Sequence, residues 1–336
     1  MNITISDYGT FIGVKSQRLR ITKKGKLERE VPLIDLDTVT LLGKGVSLSV
    51  DAVAACAEHG VQVNFHTRSG DAYAKLTSPY LVGTVATRRE QMAAYLDTRG
   101  LVITQQLISG KLENQRRALR YFAKYRKETA PALNEALELA AEKISVLRTE
   151  LASVTAASVD EVRGLILSIE GRSGVVYWSA VAKLLPDEVT FPGRVGRGAT
   201  DDVNSCLNYA YGILYARCWG ALATAGLEPF AGFLHTDRPG KPSLVLDFIE
   251  EYRTALADRS VLAMFNKGFR PEFEKGSLSA KTRTALAARV IRRLETRHSY
   301  QRRNLQYASI MVAQARQLAL FLRSEATYEP FVGAWT

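Results

Sequence analysis

The sequence predicts an α+β protein, with a small N-terminal β-domain over residues 1–83 followed by a larger all-α domain over residues 84–336. Three observations carry that expectation. Short runs that alternate, or that are rich in β-branched residues, fill most of the first 76 positions. From about Thr84 the apolar period changes from two to 3.6 and stays there. At 336 residues the chain also exceeds one ordinary hydrophobic core and suits two domains of unequal size.

In chain order, residues 2–5, 10–14, 18–22, 31–33, 38–42, 61–65 and 73–76 read as strands. Lys23, Lys24, Gly25 and Lys26 form a turn signal that joins a hairpin. Residues 49–58 read as the one helix of this part, ending at His59 and Gly60, where glycine supplies the left-handed cap. Beyond it, residues 85–96, 102–126, 131–151, 159–184, 202–225, 244–256 and 283–323 read as helices. Pro186, Pro192, Pro229, Pro239 and Pro242 fall between these segments, where proline belongs. Ser158 and Glu161 make a capping-box pattern, and Ser243 can cap the helix that follows it. Residues 324–336 have no clear period and read as a loose tail.

Composition narrows the function classes. The chain is 46% hydrophobic and 24% charged, as in soluble globular proteins. No apolar run approaches the roughly 18 residues that a membrane span needs, and the polar start is no signal peptide. A cytoplasmic protein without a membrane partner is expected. Cys56, Cys206 and Cys218 show no paired spacing and read as buried thiols. The formal net charge of +11 and a pI near 9.5 suit a polyanionic partner, or merely aid solubility. Distribution favours the first. Arg116, Arg117, Arg120, Lys124, Arg126 and Lys127 form one basic cluster, and Arg289, Arg292, Arg293, Arg297, Arg302 and Arg303 form another, with Tyr300 and Tyr307 interleaved.

Four segments carry candidate chemistry. Glu170 interrupts an apolar helical body and needs a partner there, either a salt-bridge cation such as Arg172 or a bound metal. Ser173, Gly174 and Tyr177 lie on its face, and the small residues leave room beside the carboxylate. Phe191 to Thr200 is a basic glycine-rich loop entering a helix, and Arg194 and Arg197 in it suit a phosphate. No GxxxxGK[ST] motif occurs, so no nucleotide cofactor is expected. Asn204, Asn208, Tyr211 and Tyr215 form a polar stripe on the next helix, either a solvated face or a functional one. Finally, His235 is followed by Asp247 and Glu250, three apart on one helix face. His59, His66 and His298 read as structural. One histidine with two or three carboxylates is a mostly oxygen donor set, which favours Mg²⁺ or Mn²⁺ over zinc.

Taken together, these segments resemble the CRISPR-associated integrase-nuclease family, the first and most widespread Cas protein. The resemblance rests on Glu170 and Gly171 with Tyr177 and Trp178; on Asp202 to Asn204 through Leu207 to Tyr211; on Gly232 to His235; and on Asp247, Glu250, Glu251 and Arg253. Gly110, Lys111, Asn114 and Gln115 match a further family element. It covers nearly the whole chain. The resemblance implies that Glu170, His235 and Glu250 are metal ligands, that Asp247 is a helping acid, and that the helical domain is catalytic. It also implies a homodimer through the β-domain, and a heterohexamer with the small second Cas protein. The implied reaction inserts short DNA duplexes into a CRISPR leader–repeat by attack of a 3′-OH on a phosphodiester. Arg194, Arg197, Asn204, Asn208, Tyr211 and Arg293 are the expected DNA contacts. A related transposase-type integrase and a catalytically silent DNA-binding scaffold are the alternatives.

Overall fold

The computed structural model describes residues 2–36, 38–67, 72–76, 84–196 and 198–335. The chain divides into two compact units, Met1–Gly83 and Thr84–Thr336.

The first unit comprises β1 (Asn2–Ile5), β2 (Thr10–Lys15), β3 (Arg18–Lys23), β4 (Lys26–Pro32), β5 (Thr38–Leu42), β6 (Ser47–Leu48), α1 (Val50–Glu58), β7 (Gln62–His66) and β8 (Ala72–Leu76). They form two four-stranded sheets, ordered β1-β5-β7-β8 and β4-β3-β2-β6. Alternation decides the faces. In β2, Thr10 and Ile12 are buried while Phe11 is exposed. Ile3, Ile12, Leu19, Val39 and Val63 meet Ala52 and Cys56 of α1 in the core. Ser49 caps α1 by accepting from Ala52 N at 3.1 Å. The β3–β4 turn places Lys24 and Gly25 at φ 49° and 77°, the paired left-handed residues of a tight hairpin. β4 begins five residues before the expected 31–33 run. Its first five side chains are all exposed, so no apolar alternation marks them.

The second unit is mainly helical. α2 (Thr84–Ala94), α3 (Thr98–Lys124), α4 (Pro131–Ala152), α5 (Val159–Ala182) and α6 (Asp202–Thr224) are followed by α7 (Ser243–Phe248), α8 (Glu250–Tyr252), a π-helical turn (Arg253–Asp258) and α9 (Arg259–Phe265). The short hairpin β9 (Phe273–Glu274) and β10 (Ser277–Leu278) leads to α10 (Ala280–Glu295), and β11 (Arg297–Tyr300) and β12 (Arg303–Gln306) lead to α11 (Tyr307–Leu322). The 27-residue α3 packs on α4, α5 and α8, and α6 packs on α10 and α11. Leu107, Leu112, Ile144, Ile166, Leu207 and Leu214 are among the fully or almost fully buried side chains of their common core. No helix among the described residues is long and apolar enough to cross a membrane.

Several expectations need correction. The single helix expected over residues 283–323 is two helices split by the β11–β12 hairpin, whose turn holds Gln301 and Arg302 at φ 47° and 62°. The arginine-rich run between them suits helix and strand alike, so the apolar period hid the break. The segment expected over residues 244–256 continues through the π-helical turn to Phe265. Ser243 does not cap it; its hydroxyl donates to Thr236 O at 3.1 Å. Ser158 makes no cap bond either, and Glu161 accepts instead from Ala157 N at 3.3 Å. The C-terminal stretch is no loose tail, since Tyr328 and Phe331 are buried. The three cysteines are buried free thiols, as expected, and burial pushes Cys56 up to about 11.

Much of the first basic cluster is internally neutralised. Glu113 on α3 accepts from Arg116 at 2.8 Å, Arg117 at 2.7 Å and Arg148 of α4 at 2.9 Å. Burial raises its pKa, but Arg116 and Arg117 outweigh that and hold it at about 2, below the ordinary 4.5. A depressed folded-state pKa stabilises the protein above the ordinary value and loses that effect as pH falls toward 2. Glu113→Gln should therefore lower the melting temperature at pH 7 by about 2–4 °C, with the gap to wild type closing between about pH 4.5 and pH 2. Thermal melts across that range test this, and an equal gap at pH 7 and pH 3 would refute it.

Candidate active site

The site is assembled from α3, α5, α8 and the loop between α6 and α7. Lys111 occupies the apolar stripe of α3, one turn after Leu107 and seven residues before Ala118. A lysine there is buried and needs anions. Its Nζ donates to Glu170 Oε1 of α5 and lies 2.7 Å from Glu250 Oε2 of α8. Burial opposes the lysine's charge, yet Glu250 and Glu170 outweigh it and raise the pKa. Arg253, in the π-helical turn, reaches Glu250 Oε1 at 3.2 Å. Glu250 is buried, which by itself would raise its pKa; Arg253 and then Lys111 bring it down to about 2. Two carboxylates therefore meet one ammonium, with a guanidinium behind.

His235 is held from the opposite side. Asp247 Oδ1 lies 2.7 Å from His235 Nδ1 and accepts from His235 N at 3.0 Å. Its Oδ2 accepts from Phe233 N at 2.6 Å and Leu234 N at 3.1 Å. Asp247 is thus buried and committed to shaping the loop, and it leaves His235 Nε2 as the ring nitrogen for a ligand. Gly232 permits this closeness, because a Cβ there would stand 2.6 Å from Ser243 Cβ and 2.9 Å from Asp247 Oδ2. Among the described residues, no three His, Cys, Asp or Glu side chains stand close enough to hold an ion as placed.

A cavity of about 600 Å³ opens beside Glu170 and Lys111. Trp178, Phe191, Arg194, Tyr211 and Arg253 line it. Cβ atoms at Gly171 and Gly174 would meet nothing within 4 Å, so the expected room beside Glu170 is present. The guanidiniums of Arg194 and Arg253 lie 5.0 and 4.8 Å from the Tyr211 ring centroid. Tyr211 and Tyr177 donate to the two oxygens of buried Asp258 at 2.6 and 3.2 Å. Burial raises the pKa of Asp258 despite those donors.

The expected DNA contacts divide. Arg194 lines the cavity and donates to Asn204 Oδ1 at 3.0 Å and Asn208 Oδ1 at 2.6 Å. Asn204 is corrected: it is fully buried and spent on the glycine-rich loop, accepting from Val195 N at 2.9 Å and donating to Gly193 O at 2.8 Å. Tyr211 is also nearly buried, with its hydroxyl committed to Asp258. Arg293 is half-buried, stacking on Tyr307 at 4.7 Å and donating to Ala255 O at 3.2 Å. Arg197 lies outside the described residues. Arg172 pairs with Glu150, not with Glu170. Sequence reasoning gave Lys111, Arg253 and Asp258 no role at the site. The available signal was a charge placed inside an apolar stripe.

Fold and geometry define a class: a two-unit α+β chain with a carboxylate–histidine site in its helical unit. The model of the CRISPR associated protein Cas1 family matches residues 3–296, and the chain belongs to that family. It is 38% identical over 347 residues to the CRISPR-associated endonuclease Cas1 1 of Archaeoglobus fulgidus, with all of both chains covered. In fold it is similar to a casposase bound to its integration product, with TM-score 0.76 and 23% identity, over 98% of this chain and 92% of that one. It is likewise similar to a Cas6-RT-Cas1–Cas2 complex, with TM-score 0.74 and 22% identity, over 98% of this chain and 36% of the other.

Asp247→Asn should destabilise the protein by about 2–4 kcal/mol, because an amide group must face backbone N–H donors that a buried carboxylate now satisfies. Urea unfolding in metal-free buffer measures it. A midpoint equal to wild type would show that the loop does not depend on that charge.

Proposed function

We propose that this chain is a divalent-metal-dependent DNA integrase and nuclease of CRISPR adaptation, joining short duplexes to a leader–repeat by transesterification. One observation carries the reading: Glu170 and Glu250, from different helices, converge on a single buried cation, and Asp247 separately braces His235. Membership of the Cas1 family and the relatives' endonuclease name support DNA as the substrate class.

The donor types suit Mg²⁺ or Mn²⁺, although as placed around Lys111 the three side chains do not converge on one point. Glu170, Glu250 and His235 offer hard oxygens and one imidazole nitrogen, a set suited to those ions. When bound, such an ion supplies charge neutralisation at the phosphate and activation of an attacking oxygen. The chain's own groups do the rest. Lys111 keeps the two carboxylates together before any ion arrives, so their electrostatic repulsion is already offset. Asp247 fixes the tautomer and direction of His235. Arg194 and Arg253 give the cavity a fixed positive wall for a phosphodiester. In the exchange, the 3′-oxygen of the incoming strand forms a P–O bond while another P–O bond breaks. The proton lost by the attacking hydroxyl ends on the departing 3′-oxygen. One phosphodiester replaces another, so no nucleotide energy is needed.

DNA, a second copy of this chain and the small second Cas protein are the proposed partners, in a heterohexamer. The Cas1–Cas2 assembly among the structural neighbours supports that reading. The casposase similarity favours a second one, a transposase-type integrase, which gene neighbourhood separates from the first.

Strand transfer tests the proposal. The components are purified protein, a short 3′-OH duplex and a supercoiled plasmid bearing a leader–repeat, in Mn²⁺, Mg²⁺ or EDTA. Joining should need metal and should fall at least about 100-fold in His235→Ala. Joining that persists in EDTA or in His235→Ala would move the chemistry elsewhere, and tight DNA binding without joining would favour the scaffold reading. A separate readout is thermal: Lys111→Met should lower the melting temperature in EDTA, because buried Glu250 and half-buried Glu170 lose their partner. Mn²⁺ should raise it again, by more than in wild type, and an equal metal response in both proteins would refute the placement.

A further inference from the structure

Directly behind Lys111 and Glu250, the C-terminal segment is built into the helix bundle. Asn114 is fully buried, and its amide donates to Glu251 O and Phe331 O, both at 2.9 Å, while its Oδ1 accepts from Gly333 N at 2.8 Å. One side chain thus ties α3, α8 and the segment together. Tyr328 donates toward both carboxylate oxygens of buried Glu251, at 3.0 and 2.9 Å. Phe331 stacks on Tyr252 at 5.1 Å and 19°. Gln314 of α11 donates to Glu329 O at 3.0 Å, and Arg259 donates to Ala334 O at 3.2 Å.

Two glycines mark how closely the segment lies. A Cβ on Gly110 would stand 2.8 Å from Pro330 Cβ, and a Cβ on Gly333 would stand 2.9 Å from Ala255 Cβ. Gly110 precedes Lys111, and Glu251 follows Glu250. The contacts through Gly110, Asn114, Glu251 and Tyr252 therefore fall next to, or within a few positions of, a site residue, while Gln314, His298 and Tyr307 anchor the segment elsewhere. α8 itself is only three residues long and runs into a π-helical turn, so its own backbone bonds fix it weakly.

We propose that residues 328–333 are a positioning strap that sets the place of α8 against α3, and hence of Glu250 against Lys111 and Glu170, with Asn114 and Glu251 as its buckle. The inference rests on the reading of Glu250 as a site residue. The strap touches no reacting group, so it acts through the helices it holds.

The test uses the full chain. Gly110→Ala should push Pro330 away while leaving α3 helical, and Pro330→Gly in the same chain removes the clashing Cβ. Single-turnover strand transfer at saturating DNA should fall at least about tenfold in Gly110→Ala and recover in the double variant, because small displacements of reacting groups have large kinetic effects. DNA affinity should stay within about twofold of wild type, since phosphate contacts position the duplex independently of the strap. Amide hydrogen exchange at residues 247–258 should accelerate by about tenfold in the single variant and return in the double, as expected of local opening. A merely structural role would lower the melting temperature without changing the rate well below it. Wild-type rate and exchange in Gly110→Ala would overturn the proposal, as would a loss that Pro330→Gly does not repair. Should Gly110→Ala fail to fold, Tyr328→Phe keeps the ring and deletes only the hydroxyl, and unchanged exchange and rate there would also overturn it. If wild type itself shows no metal-dependent joining, the functional reading fails, and the strap is judged on hydrogen exchange alone.

Discussion

The Lys111 ammonium is the interaction on which the helical unit's site depends. Buried Glu250 loses the solvation it would have in water and repels half-buried Glu170, so the two converge around a cation that offsets both. Placing that cation on α3 has a consequence for the fold. α3 must run between α5 and α8, with its central turn facing both, and its 27-residue length and apolar stripe achieve this. Catalytic geometry and core packing therefore share one helix. The polar stretch from Lys111 to Gln115 lies among Leu107, Ile108, Leu112, Ala118 and Leu119, and is buried with them.

Around this centre, the other charged groups are held by hydrogen bonds from their neighbours. Asp247 spends its oxygens on three backbone N–H groups and one imidazole nitrogen. Asp258 takes two tyrosine hydroxyls. Asn204 and Asn208 hold Arg194 and the glycine-rich loop. Rigid surroundings of this kind matter for phosphoryl chemistry, where positioning and fixed charge supply most of the effect and little covalent work falls to the protein.

How much of this was legible in the sequence follows from the physics of each signal. The strands and most helices were visible because burial imposes a period on local residues. Glu170, His235, Asp247 and Glu250 stood out because each is a charged or titratable group set among apolar neighbours. Lys111 carries the same kind of signal, yet it was read only as part of a family element with Gly110, Asn114 and Gln115. Asn204 misled for the converse reason: residue type says what a side chain can bind, while the fold decides whether it faces outward. The β11–β12 hairpin escaped notice because arginine-rich helix and strand look alike without an apolar face. The strap was the least legible part. Its residues have no period, and their order comes from contacts with Asn114, Glu251 and Tyr252, some 80 to 220 positions away.

Contacts of this kind fix an aperiodic segment in place. A helix gains its hydrogen bonds from itself, so its sequence shows a face. A strap gains them from others, through Phe331 O, Gly333 N, Glu329 O and Ala334 O, and so needs only the side chains that fill specific holes. Phe331 and Tyr328 fill them, and glycine at 110 and 333 makes the holes shallow enough to reach. The partners of such a segment carry the complementary signature: buried Asn and Glu side chains with no partner on their own helix. Asn114 and Glu251 are such residues. A buried amide on a helix that packs an active site is therefore evidence for a distant strand of chain that must come to meet it.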